Sequence, residues 1–140
     1  MAKAKGFNLA KVDTIAGCNR PVEIEIKDLD GEPTDIFFSI LGKDSDVVRA
    51  RLNGLAEDEL QAEAAGIESP SNVDRGERRM VTMCVSAVTG WRTGKEPALA
   101  WGDERLEFNE ANARKVISGI PHIRAQVSTS IFNLSLFMKG

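Results

Sequence analysis

The sequence predicts an α+β fold that is mostly α-helical, with an N-terminal β-hairpin packed on a small helical domain. Three observations carry this. Residues 22–27 alternate, with Val22, Ile24 and Ile26 set against Glu23, Glu25 and Lys27, which is the period of a half-buried strand. After Gly42 the apolar period changes to that of helices. The run from Asp74 to Gly90 places Met80, Met83, Cys84, Ala87, Val88 and Trp91 at i, i+3, i+4 spacing, the mark of a core helix. At 140 residues the chain is expected to form one domain, residues 1–140.

Each element follows from local chemistry. Lys11 to Ala16 gives a weak strand signal. The hairpin spans about residues 20–41: Asp30-Gly31 is a hairpin turn, Pro33 interrupts strand, and Thr34 to Leu41 returns with Ile36, Phe38 and Ile40 on one face. A lone hairpin is marginal in water, so its apolar face must be covered. The helical body covers about residues 44–138. Asp44 or Ser45 caps a helix starting near Asp46, with Val48, Leu52 and Leu55 on one side. A short helix at 57–65 follows, then a loop at 66–73 expected to be mobile, because Gly66 and Ser69-Pro70-Ser71 do not sustain a helix. Gly90 ends the core helix and Arg92 to Ala98 forms a loop. Asn109 caps a helix at 110–119 with Ala113, Val116 and Ile117 on its apolar side. Pro121 opens a last helix from about His122 to Met138.

Composition excludes several functions. Eighteen Lys and Arg against 21 Asp and Glu give a net charge of −3, unlike a strongly basic nucleic-acid binder. Two cysteines, Cys18 and Cys84, and a single histidine leave no disulfide scaffold, zinc-finger spacing or redox pair. No apolar run reaches the roughly 18 residues of a membrane span, and the expectation is a soluble cytosolic protein without metal or cofactor. His122 stands beside Pro121 as a surface or capping residue rather than a catalytic base. Gly90 to Lys95 fails the phosphate-loop pattern, with three residues between its glycines and Glu96 after the lysine. Asp28, Asp30 and Glu32 lack the rest of a calcium loop. Cys84, inside the core stripe, reads as a small buried hydrophobe. Charge is uneven: residues 44–77 carry nine acids and three bases, residues 109–140 one acid and four bases. That asymmetry suits head-to-tail self-association or an acidic partner, or simply two solvated faces.

Val88-Thr-Gly-Trp91, the Gly/Pro loop, Leu106-Glu-Phe108-Asn109-Glu-Ala-Asn112-Ala113 and Ile120-Pro121-His-Ile123-Arg-Ala-Gln126-Val127 together resemble the tail assembly chaperones of long-tailed bacteriophages and prophages. The resemblance spans most of residues 20–138, with its motifs at about 85–127. It implies a non-enzymatic assembly factor in the host cytoplasm, absent from the mature virion. Such a factor coats the tape measure protein and helps recruit tail tube subunits. A frameshifted longer product is common in that family. The alternative is a structural minor tail or neck protein retained in the virion, which mass spectrometry of particles distinguishes.

A candidate partner surface comes from the last helix. Ile123, Val127, Ile131 and Leu134 form one stripe, while Phe132 and Leu136 fall roughly opposite. The second patch needs its own cover: the hairpin, a second subunit in a homo-oligomer, or the tape measure protein. Phe132 and Leu136, helped by Trp101 and Phe108, are the expected partner-binding residues.

Overall fold

The computed structural model describes residues 6–67 and 71–139. Helix accounts for 53% of the described residues and strand for 22%, so the fold is α+β and mostly helical. A three-stranded antiparallel sheet runs in the order β1 (Val22–Lys27), β2 (Pro33–Ile40), β3 (Val88–Thr93). A second pair, β4 (Ala98–Trp101) and β5 (Glu104–Glu107), forms its own hairpin. The helices are α1 (Thr14–Cys18), α2 (Asp46–Ala64), α3 (Asn72–Ala87), α4 (Glu110–Gly119), α5 (Pro121–Phe132) and α6 (Leu134–Phe137).

The expected hairpin forms on the expected residues. Asp28 Oδ1 accepts from the backbone N–H of Asp30 and of Glu32, each at 2.9 Å, and Gly31 adopts φ +81°, a conformation that glycine enters without steric cost. Ile24 pairs with Phe38 and Ile26 with Ile36, so the apolar positions share the inner face. On the outer face Arg92 donates to both carboxylate oxygens of Glu23, at 2.9 and 2.6 Å, and lies over the Phe37 ring at 4.1 Å.

Five expectations are corrected. Lys11–Ala16 is not strand: Asn8 and Asp13 accept from the N–H groups of Ala10 and Ala16 and start a 3-10 turn at Leu9–Val12 and then α1, because capping side chains outcompete a weak alternation. The two helices expected at 46–55 and 57–65 are one, α2, since good helix formers follow Gly54 and a single glycine costs only about 1 kcal/mol. The expected loop 66–73 overlaps the start of α3, which Ser71 caps and which begins at Asn72; residues 68–70 lie outside the described residues. α3 ends at Ala87 rather than Gly90, and Val88–Thr93 is β3, paired with β2 through Phe38–Trp91 and Ile40–Val88. The last helix breaks at Asn133 into α5 and α6, which turns Phe137 into the core at 1% exposure.

α3 is the central element, packed by α2, α4 and α5. It buries Val81, Met83, Cys84, Val85 and Ala87 against Phe38 and Ile40 of the sheet, Val116 and Ile117 of α4, and Val127 and Ile131 of α5. Full burial of each large side chain stabilises by about 1.5–3 kcal/mol. The segment after β2 threads between elements: Leu41 N–H donates to Ala87 O, Gly42 N–H to Cys18 O and Lys43 N–H to Ile131 O. Gly42 is required there, because a Cβ would overlap Cys18 Sγ and lie 2.8 Å from its Cβ. Arg124 of α5 donates to Ile117 O at 2.9 Å and Ser118 O at 3.2 Å, satisfying carbonyls left open at the end of α4.

Candidate functional site

A groove of about 590 Å³ opens between α2, the junction of α3 with β3, and the corner where β5 meets α4. Val85, Val88 and Ala113 form its buried walls, Val47 and Ala50 its exposed rim, and Phe108 one end. Arg51 and Glu110 add one charge of each sign.

Each wall is fixed by local chemistry. The start of α2 is set by Ser45, fully buried, whose hydroxyl accepts from Val48 N–H at 3.3 Å. Asn19 brackets the next residue, donating to the Asp46 carboxylate at 3.0 Å and accepting from Asp46 N–H at 2.8 Å. Val48 then points into the core at 0% exposure and its neighbour Val47 outward at 53%. The start of α4 is set by Asn109, whose side chain accepts from Asn112 N–H at 2.7 Å, while Asn112 donates to Glu107 O at 2.8 Å. Phe108 is held edge-on against Trp91, centroids 5.1 Å apart at 90°, and the Trp91 indole N–H donates to Leu106 O at 3.1 Å. The ring therefore presents a fixed apolar face.

The four residues expected to bind a partner are dispersed. Phe108 lines the groove. Trp101 lies at the other end of α4, over Gly119 and 5.7 Å from Lys115 Nζ, some 15 Å from Phe108 by helix rise. Phe132 is half exposed at the end of α5, and Leu136 on α6 packs partly buried against the core. The sequence pattern missed Val47, Ala50, Val85 and Val88 as surface-forming residues. The one signal was Val47-Val48: two adjacent valines on a helix cannot face the same side.

The two thiols and the imidazole do not line the groove. Burial pushes the Cys84 thiol up to about 12 and raises that of Cys18, so both stay protonated at neutral pH. His122 and Gln126 bind the backbone of Lys27: Gln126 accepts from its N–H at 2.8 Å and donates to its carbonyl at 2.9 Å, as a neighbouring strand would. Ser86, in the groove, donates to Met83 O at 2.8 Å. Among the described residues no group of three or more His, Cys, Asp or Glu is placed to hold a metal ion, and no helix is long and apolar enough to cross a membrane.

Fold and groove thus define a small α+β chain with an open, largely apolar groove. Compared with known proteins, it matches no family model, no curated protein and no solved structure.

Proposed function

We propose that the chain is a tail assembly chaperone of a long-tailed phage or prophage, acting in the host cytoplasm without catalysing a reaction. It coats the tape measure protein, helps recruit tail tube subunits and leaves before the virion is complete. The observation that carries this reading is the open groove with Val47 and Phe108 at its mouth. A tape measure protein of the kind the resemblance implies is long, helical and apolar along one side, and aggregates when bare. A helix laid apolar face down in a groove is a recurrent way of covering such a segment, and a cleft of this volume accepts a few side chains at a time. Apolar contact without specific polar readout tolerates many similar sites along one client.

Co-expression with the tape measure protein of a long-tailed phage tests the proposal. The expected result is a soluble complex carrying several copies of the chain per client, lost when Val47→Asp and Ala50→Glu place charges on the rim. A client that stays insoluble beside the wild-type chain contradicts it. Abundant copies in purified virions would also contradict it and favour a structural tail protein.

A further inference from the structure

α5 and α6 carry the pattern of one helix and fold as two. Ile123, Val127, Ile131, Leu134 and Met138 keep helical spacing across the junction. Asn133 nevertheless sits at φ −84° and ψ 84°, outside the helical region. In a continuous helix the Ile131 carbonyl would accept from the N–H of Ser135, four residues on. Here it accepts from Lys43 N–H at 3.2 Å, on the segment that follows β2. The break exchanges a hydrogen bond along the helix for one to a distant part of the chain.

α6 is also held differently from α1, the element it packs against. Polar contacts tether α1: Thr14 Oγ1 donates to Asp44 at 2.5 Å, Gly42 N–H donates to Cys18 O at 3.1 Å, and Asn19 holds Asp46. Among the described residues the hydrogen bonds of α6 stay within its own turn. Leu136 N–H donates to Asn133 O at 3.0 Å, Met138 N–H to Ser135 O at 3.3 Å, and Ser135 Oγ to Asn133 Oδ1 at 2.8 Å. What docks α6 is apolar: Phe137 is fully buried, and Leu134 and Leu136 pack partly buried against the core. Two glycines shape the seat. A Cβ on Gly17 would lie 2.5 Å from Met138 Sδ and 2.8 Å from Phe137 O. A Cβ on Gly42 would meet Cys18 Sγ and, at 3.0 Å, the Phe137 ring. The ring and the Cys18 thiol therefore adjoin at Gly42, and Phe137 helps close that thiol off from water.

We infer that residues 133–138 form a two-state element. In the docked state Phe137 fills the seat at Gly17 and Gly42. In the straight state α5 runs on through Asn133 to Met138 as one helix, and the seat is vacated. Docking gains the burial of an aromatic side chain, and straightening gains the helical hydrogen bonding that the sequence spacing suits. The element opens while the α3 core stays closed. It depends neither on the groove nor on the proposed client.

The two cysteines of the chain distinguish this opening from global unfolding. Cys18 adjoins Phe137, whereas Cys84 lies in the α3 core. The intact chain is labelled with a small aromatic disulfide in rising, sub-denaturing urea. Cys18 should react at a rate nearly independent of urea and Cys84 at a rate that climbs steeply, because the local opening exposes little surface and unfolding exposes most of it. Substitutions at Asn133, an exposed position, then separate straightening from simple fraying. Asn133→Ala should label Cys18 roughly fivefold faster than Asn133→Gly, since the straight state places this residue inside a helix. Fraying into coil would favour the glycine variant instead. The Cys84 rate should not follow the alanine-over-glycine order. The same urea dependence for both thiols, or Cys18 labelled as fast in Asn133→Gly as in Asn133→Ala, would overturn the inference.

Discussion

α2 and α3 are consecutive helices of 19 and 16 residues, each opened by a serine cap, yet they do different work. α3 buries Val81, Thr82, Met83, Cys84, Val85 and Ala87, whereas α2 buries Val48 alone and leaves Val47 and Leu60 exposed. α3 thus carries stability through area removed from water. α2 is fixed at its first turn by the buried Ser45 cap, the Asn19–Asp46 pair and Val48, and beyond it packs along α3 with Leu52 only partly buried. This long helix, which contributes little to the core, borders the groove over Val47, Ala50 and Arg51. On the proposed function, a partner surface is well placed on such an element, because substitutions at its exposed positions leave the core intact.

The widest gap between the two helices should appear in large-to-small substitutions. Met83→Ala on α3 should cost about 2–5 kcal/mol, while Leu60→Ala on α2 should stay within about 0.5 kcal/mol; urea denaturation of both variants measures the difference. Equal losses would show that α2 is as much core as α3.

Alkaline stability gives a second contrast, since α2 has no buried thiol. The Cys84 thiol is raised from its usual 9.0 to about 12, first by burial and against a small opposing effect of Arg124. The folded chain therefore keeps a proton that the unfolded chain releases, and stability declines as pH rises from about 9 towards 12. The decline attributable to this group approaches 1.4 kcal/mol per pH unit. Cys84→Ala should flatten that part of the pH dependence, followed as the urea midpoint from pH 8 to 10. An unchanged slope would mean that the thiol titrates freely.

The serine caps are a finer comparison. Ser45→Ala leaves a buried N–H of Val48 without its partner and should cost about 1–2 kcal/mol; Ser71→Ala exposes its counterpart to water and should cost nearer 0.5 kcal/mol. Thermal denaturation of the two variants ranks them, and a reversed order would show that the start of α2 is not held by its cap.

Much of this contrast was legible in the residues. The stripe through Met83, Cys84 and Ala87 identifies α3 as core, and the alternation of Val22, Ile24 and Ile26 identifies the hairpin face, because both periods are long and local. β3 was hidden because Val88 and Trp91 continue the helical spacing of α3; only pairing with Ile40 and Phe38, some fifty residues earlier, turns them into strand. β4 and β5, at four residues each, are too short to show a period. The last helix looked continuous because Phe132 and Leu136 keep helical spacing, and the break at Asn133 depends on Phe137 finding a place in the core. The groove was largely illegible for the same reason: its walls come from α2, α3, β3 and α4, and of its residues only Phe108 stood out alone.

Hydrogen exchange of the chain, free and in complex with a co-purified tape measure protein, tests the central claim most directly. Exchange should slow in the first half of α2, about residues 47–55, and across residues 108–113, with the α3 core unchanged because it is already protected. Protection confined to α5 and α6 around Phe132 and Leu136, or no protection anywhere, would contradict the assignment of the groove as the binding surface.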